Sequence, residues 1–253
     1  MVNFFIFKNL DRASGCRHAV TMKALGESYD FSMALHTGED VEKIVENRKK
    51  LASLLHWDEK LYFAIANQTH SNHIEVITQH TNRGWETLHS AIENCDAMIS
   101  NQKNIVLSML TADCVPILLF DTKQQVIAAV HAGWKGTKGK IVLKTVEKMI
   151  QDFHSEPKDI LAGIGPAIGR CCYEVGEDVA KHFFEYPQAY DKIADKYMLD
   201  LPLINQEQLL SVGLDIHNIE MSDICTSCHV EKFFSYRKEE GCSGRFMSMI
   251  GLI

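Results

Sequence analysis

The runs Ile105-Val106-Leu107-Ser108-Met109-Leu110, Val115-Pro116-Ile117-Leu118-Leu119-Phe120 and Val126-Ile127-Ala128-Ala129-Val130 decide the fold class. Each is short, apolar and rich in β-branched or large aliphatic residues, and polar breaks separate them, so they read as central strands. The first break is Thr111-Ala112-Asp113-Cys114, and the third run ends in His131-Ala132-Gly133-Trp134-Lys135-Gly136-Thr137. From Lys140 to Phe153, the residues Ile141, Val142, Val146, Met149 and Ile150 share one helical face. Outward from this centre, Gly38-Glu39-Asp40 leads into a surface amphipathic helix over Val41 to Leu55. Leu61 to Asn67 and Ile74 to Thr78 flank Gln68-Thr69-His70-Ser71-Asn72 as strand, turn, strand, which puts His70 at a strand end. A strand over Ile160 to Ile164, a helix from Glu177, a helix over Leu203 to Leu210 and strands near Phe233 and Phe246 follow. Strands and helices mix without strict alternation, so the predicted class is α+β rather than a doubly wound sheet.

Composition sets the outer bounds. The chain has 253 residues, 46% hydrophobic and 23% charged, which excludes disorder, collagen and coiled coil. With five prolines and no linker, repeat or low-complexity tract, one domain over residues 1–253 is expected. Lys and Arg total 26 against 33 Asp and Glu, a net charge of −7 that argues against nucleic-acid binding. No apolar run approaches the ~18 residues of a membrane span, and the N-terminus lacks a signal-peptide layout, so a cytoplasmic protein with no membrane partner is expected. Eight cysteines fall below the density of a disulfide scaffold and are expected as reduced thiols.

Chemistry concentrates at the breaks. Asp113-Cys114 and His131 stand at the ends of neighbouring predicted strands, and a thiolate beside an imidazole is either a nucleophile with its base or a pair of metal ligands. The same pair also suits a buried thiol packed near a hydrogen-bonded histidine. His70 adds a third borderline or soft ligand, and three protein ligands with one open position are the catalytic form of a zinc site. His73 competes for that third place.

Other motifs carry less. Cys225-Thr226-Ser227-Cys228 is a single CxxC with His229 beside it, and no second CxxC closes a four-ligand site, so a structural or packing role is expected. Gly133 to Lys140 is rich in glycine and lysine, but its spacing fails the phosphate-loop pattern and Ile141 stands where Ser or Thr binds magnesium. Gly163 to Gly169, with Pro166 inside it, lacks dinucleotide-binding spacing and reads as a shaped turn.

Taken together, Gln68-Thr69-His70, Thr111-Ala112-Asp113-Cys114-Val115-Pro116, Val130-His131-Ala132-Gly133-Trp134-Lys135-Gly136, Gly165-Pro166-Ala167-Ile168 with Cys172-Tyr173-Glu174-Val175, and Phe234-Ser235-Tyr236-Arg237 with Gly244-Arg245 resemble one family. It is the family long labelled laccase-like or multicopper polyphenol oxidase, also called peptidoglycan editing factors and now described as zinc-dependent purine nucleoside phosphorylases. The likeness runs from about Arg17 to the end. It implies a layered α/β/β/α fold, with mixed β-sheets flanked by helices, and metal ligands at His70, Cys114 and His131, with zinc as the ion and copper as the alternative. It sets Asp113 beside the metal, makes Arg17 a catalytic and substrate contact, and puts Ser32 in the substrate-binding place where the family has an asparagine. Apart from the resemblance, a net charge of −7 requires local positive groups to meet an anionic substrate, for which Arg17, Lys135 and Arg245 are the candidates. Two departures stand out: Arg17-His18-Ala19-Val20-Thr21-Met22 replaces Arg-x-Gly-Gly-Val-Ser, and Phe31-Ser32-Met33 replaces Phe-Asn-Leu.

The function the resemblance implies is cleavage of adenosine, inosine or methylthioadenosine by phosphate, with adenosine deamination as a side activity in which Asp113 carries the proton. The partners expected are a small purine nucleoside and phosphate. Three alternatives are carried: an amide hydrolase with Cys114 as nucleophile and His131 as base that edits peptidoglycan precursors, a polyphenol oxidase as the older label has it, and a relative without catalysis. A laccase needs several coppers held by many histidines, which one His, Cys, His set does not provide.

Overall fold

The three apolar runs are strands, and they belong to two different sheets. The computed structural model describes residues 2–57, 60–241 and 243–252. In chain order these form β1 (Phe4–Phe5), α1 (Lys8–Asp11), β2 (Cys16–Thr21), α2 (Val41–Leu54), β3 (Tyr62–Ile65), β4 (Ile74–Val76), β5 (Ala97–Ser100), β6 (Ile105–Thr111), β7 (Val115–Asp121) and β8 (Val126–Ala132). They continue as α3 (Trp134–Lys138), α4 (Ile141–Phe153), β9 (Ile160–Ile164), β10 (Glu174–Val175), α5 (Glu177–Ala180), β11 (Tyr190–Ile193), β12 (Lys196–Leu199), α6 (Leu201–Ser211), β13 (Ile219–Met221) and β14 (Phe246–Leu252).

One sheet has the order β1-β2-β14-β6-β3, a second β13-β9-β7-β8-β5-β4, and a small third β10-β12-β11. The first two lie face to face. Leu107, Met109, Phe246 and Ile250 of the first meet Met98, Leu118, Phe120, Ile127 and Ala129 of the second in one buried cluster. The outer face of the second sheet packs on α4 and α6 through Ile117, Leu119, Val130, Val146, Met149 and Ile204. Leu51 of α2 covers the outer face of the first sheet, against Phe63, Val106 and Met249. The result is the expected α+β layering, α/β/β/α. Every residue of β6, β7 and β8 is buried because each strand is covered on both faces, which is why their sequences do not alternate.

Helix starts follow local chemistry. The Asp40 side chain accepts from the Glu42 amide at the head of α2, and Asp200 accepts from Leu203 before α6, where Pro202 fits the first turn.

The expected strands on either side of His70 are present, but they join different sheets: β3 pairs with β6 in the first sheet and β4 with β5 in the second, so the segment crosses between sheets. His70 therefore sits on that crossing, beyond the end of β3, with φ of 59°. The Phe233 region is a turn; Phe233 packs its ring 5.4 Å from that of Phe246, so the sequence signal there was burial without a ladder. The link from β6 to β7 is likewise a crossing between the sheets, and both crossings lie at the end where Thr111 pairs with Phe246.

Candidate functional site

Asp96 organises this end of the molecule. It precedes β5, is fully buried, and its carboxylate accepts from the amides of Thr69 (3.2 Å), His70 (3.1 Å) and Ser71 (2.7 Å), from Ser71 Oγ (2.6 Å) and from His131 Nδ1 (2.8 Å). The crossing loop is wound around one carboxylate. Burial works against that charge, but the hydrogen bonds from His131 and Ser71 overcome it and hold the carboxyl down to about 2. With Nδ1 tied to Asp96, His131 presents Nε2 to Cys114.

Cys114 ends the second crossing, and its sulfur lies 3.8 Å from His70 Nε2. The ligand atoms of His70, Cys114 and His131 all lie within 4.8 Å of one another. Burial opposes the Cys114 thiolate, but the neighbouring imidazoles of His131 and His70 prevail and lower the thiol's pKa. Burial also opposes the His131 imidazolium, while Cys114 and Asp96 raise its pKa. Gly133 keeps the space open: a Cβ there would stand 2.9 Å from His70 Cδ2 and 3.0 Å from Cys114 Sγ. Two imidazoles, one thiolate and a buried carboxylate orienting one imidazole can hold a metal ion.

The trio opens into a cavity of about 530 Å³, within the usual size of small-molecule sites. Leu35, Ile168, Tyr173 and Tyr236 give it apolar and aromatic walls, and Arg48, His36 and Arg245 also line it. Arg48 is buried and donates to the carbonyls of Met33, Gly84 and Trp85. Burial lowers its pKa, yet a guanidinium stays cationic. Burial, then the charges of Arg245 and Arg48, lower the pKa of His36. Asp113 is the one carboxylate among the described lining residues, and both its oxygens are occupied, by Thr226 Oγ1 and the Arg237 amide, each at 2.6 Å.

Not every expected contact reaches this cavity. His70, Cys114, His131, Asp113 and Arg245 line it together, whereas His73 is exposed and paired with Glu75. Arg17 is an exposed residue of β2 opposite Gly251, about 17 Å along β14 from the Phe246 end, and is absent from the lining. Ser32 is fully buried behind the cavity, where its hydroxyl accepts from the Arg245 amide at 3.2 Å. Lys135 lies in a separate surface groove with His70, Asn72 and Trp134. Asp96, His36, Arg48 and Tyr173 were missed. A signal existed only for Tyr173, within the quoted Cys172-Tyr173-Glu174-Val175 motif; the others become site residues through tertiary contacts alone.

Fold and site define an α+β protein with an inter-sheet cavity and a two-histidine, one-cysteine ligand set. The chain belongs to the family described as multi-copper polyphenol oxidoreductase laccase, whose model matches residues 17–253. The purine nucleoside phosphorylase YlmD of Bacillus subtilis is 34% identical to it over 228 residues, covering 88% of this chain and 82% of that protein. A purine nucleoside phosphorylase of Bacteroides thetaiotaomicron is 31% identical, covering 96% of this chain and 94% of the relative. The crystal structure of YlmD from Geobacillus stearothermophilus superposes with a TM-score of 0.91 at 31% identity, over 97% of this chain and 94% of that one. No helix of the described residues is long and apolar enough to cross a membrane.

Proposed function

We propose that residues 1–253 act as one zinc-dependent purine nucleoside phosphorylase that cleaves adenosine, inosine or methylthioadenosine with phosphate. The observation that carries this reading is a single cavity lined both by a metal-ligand trio and by Arg48, His36 and Arg245, with its one carboxylate already engaged. A net-negative chain gathers positive charge there, which suits an anionic co-substrate. Tyr173 and Tyr236 offer ring faces for a purine. In the reaction a phosphate oxygen bonds to the sugar C1′ as the bond from C1′ to the purine nitrogen breaks; the electron pair and a proton go to the purine, leaving the free base and a pentose 1-phosphate. Arg245 orients the phosphate, the buried Arg48 adds positive charge from the cavity wall, and phosphate charge offsets the developing oxocarbenium. The donor set suits zinc, with copper as the alternative, and the bound ion supplies Lewis acidity. Thiolate ligands suit the reducing cytoplasm. Adenosine deamination, in which water replaces the amino group and ammonia leaves, is proposed for the same cavity; Asp113, the expected proton carrier, has both oxygens held by Thr226 and Arg237 and acts there as a positioning residue.

Phosphate saturation tests the reading. Arg245→Ala removes a charge-assisted contact of about 1.5–3 kcal/mol, so KM for phosphate is expected to rise about 10- to 100-fold with a smaller change in KM for the nucleoside. Release of base without phosphate, or an unchanged phosphate KM, contradicts it.

One observation favours a second reading. Cys114 Sγ stands against the His131 imidazole, whose Nδ1 is held by the buried Asp96 carboxylate, a thiol, imidazole and carboxylate arrangement that suits a nucleophilic cysteine. Under an amide-hydrolase mechanism Cys114 reacts with iodoacetamide in the protein as purified. Under the phosphorylase reading the metal protects it until chelation.

A further inference from the structure

Sequence reading left Cys225-Thr226-Ser227-Cys228 without partners, and the fold supplies them. Cys171 and Cys172 follow the Gly165-Pro166 turn, and the two segments are laced together by an Ala167–Cys225 bridge, with the Ala167 amide donating to the Ile224 carbonyl and the Thr226 amide to the Ala167 carbonyl. A tight turn, in which the amides of Cys172 and Tyr173 both donate to the Gly169 carbonyl, swings the two adjacent cysteines toward the CxxC. The four sulfurs lie within 4.8 Å of one another, with Cys228 Sγ 3.6 Å from Cys171 Sγ and 3.5 Å from Cys172 Sγ. Four thiolates bonded at ~2.3 Å to one tetrahedral ion stand ~3.8 Å apart. The Gly169 amide also donates to Cys225 Sγ at 3.3 Å.

We propose that Cys171, Cys172, Cys225 and Cys228 form a second metal site, a closed four-thiolate centre for a single tetrahedral ion of the zinc class. All four positions are filled by protein, so the centre is structural and binds no substrate. Its place in the fold gives it a purpose. Tyr173, next to Cys172, lines the cavity, and Thr226, inside the CxxC, holds Asp113. The ion fastens the cavity wall that carries both. This site shares no ligand with the His70, Cys114, His131 set, so the two stand or fall separately.

Metal content separates them. Protein purified under reducing conditions with zinc is expected to carry two zinc equivalents per chain, Cys228→Ser one, and Cys114→Ala one. X-ray absorption on zinc-loaded Cys114→Ala is expected to show four sulfur neighbours at ~2.3 Å, a measurement that does not depend on Cys228→Ser folding. The proposal is overturned if Cys114→Ala holds no zinc, if its zinc has nitrogen or oxygen neighbours, or if folded Cys228→Ser keeps the wild-type metal content.

Discussion

Asp96 shows how one residue sets the chemistry of three others. Its carboxylate fixes the His131 tautomer and the backbone of the loop that carries His70, yet Cys95-Asp96-Ala97 has no feature in the sequence that marks it. Asp96→Asn keeps the shape and loses the charge; zinc affinity at the trio, read by chelator competition, is expected to fall about 10- to 100-fold. An unchanged affinity would leave Asp96 with a folding role only. His18 offers a test by pH. It is buried in β2, and its Nε2 accepts from the Phe7 amide at 2.8 Å, so the neutral ring is the one that fits. Burial, opposed by Asp11 and Glu220, holds its pKa down to about 4. The unfolded chain, with a histidine pKa of ~6.5, takes up the proton first, so stability from His18 is complete above pH ~6.5 and falls as pH drops toward ~4, by on the order of 3 kcal/mol in all. His18→Gln keeps an acceptor and is expected to flatten that part of the urea-midpoint profile between pH 7 and 4.5; the same slope in both proteins refutes the assignment.

At the scale of elements, strands were legible and their partners were not. Ile105 to Leu110, Val115 to Phe120 and Val126 to Val130 announced β6, β7 and β8 within a residue or two, because burial on both faces leaves an apolar run. Periodicity carries no information about which sheet a strand joins, so the passage of residues 66–73 and 112–114 between sheets, which creates the cavity, was invisible. The trio was readable because His and Cys at strand ends are conspicuous, whereas Arg48 reads as one more charge on an amphipathic helix although it is buried. Ser32 is likewise buried, and it supports the Arg245 amide from behind. The loops around the cavity are joined through Thr226 and Asp113, both buried and 2.6 Å apart. Asp113 has a φ of 86°, a strained backbone held in place by such contacts. Thr226→Val leaves a buried carboxylate short of a partner and is expected to cost about 1–3 kcal/mol in urea unfolding; a loss below ~0.3 kcal/mol would show that the latch carries no weight.

For the molecule as a whole, two sheets and their covering helices form a frame whose crossing loops meet at one end, and that end gathers thiol, imidazole and guanidinium groups in a chain of net charge −7. This arrangement suits a nucleoside and an inorganic anion held side by side. The most direct measurement is chromatography with mass detection of adenosine incubated with the zinc-loaded protein, with and without phosphate, beside Cys114→Ala. Adenine and ribose 1-phosphate are expected only when phosphate is present and neither from the variant, with inosine appearing if deamination shares the cavity. Adenosine left intact by the zinc-loaded protein in the presence of phosphate, or equal turnover by Cys114→Ala, would contradict the phosphorylase reading.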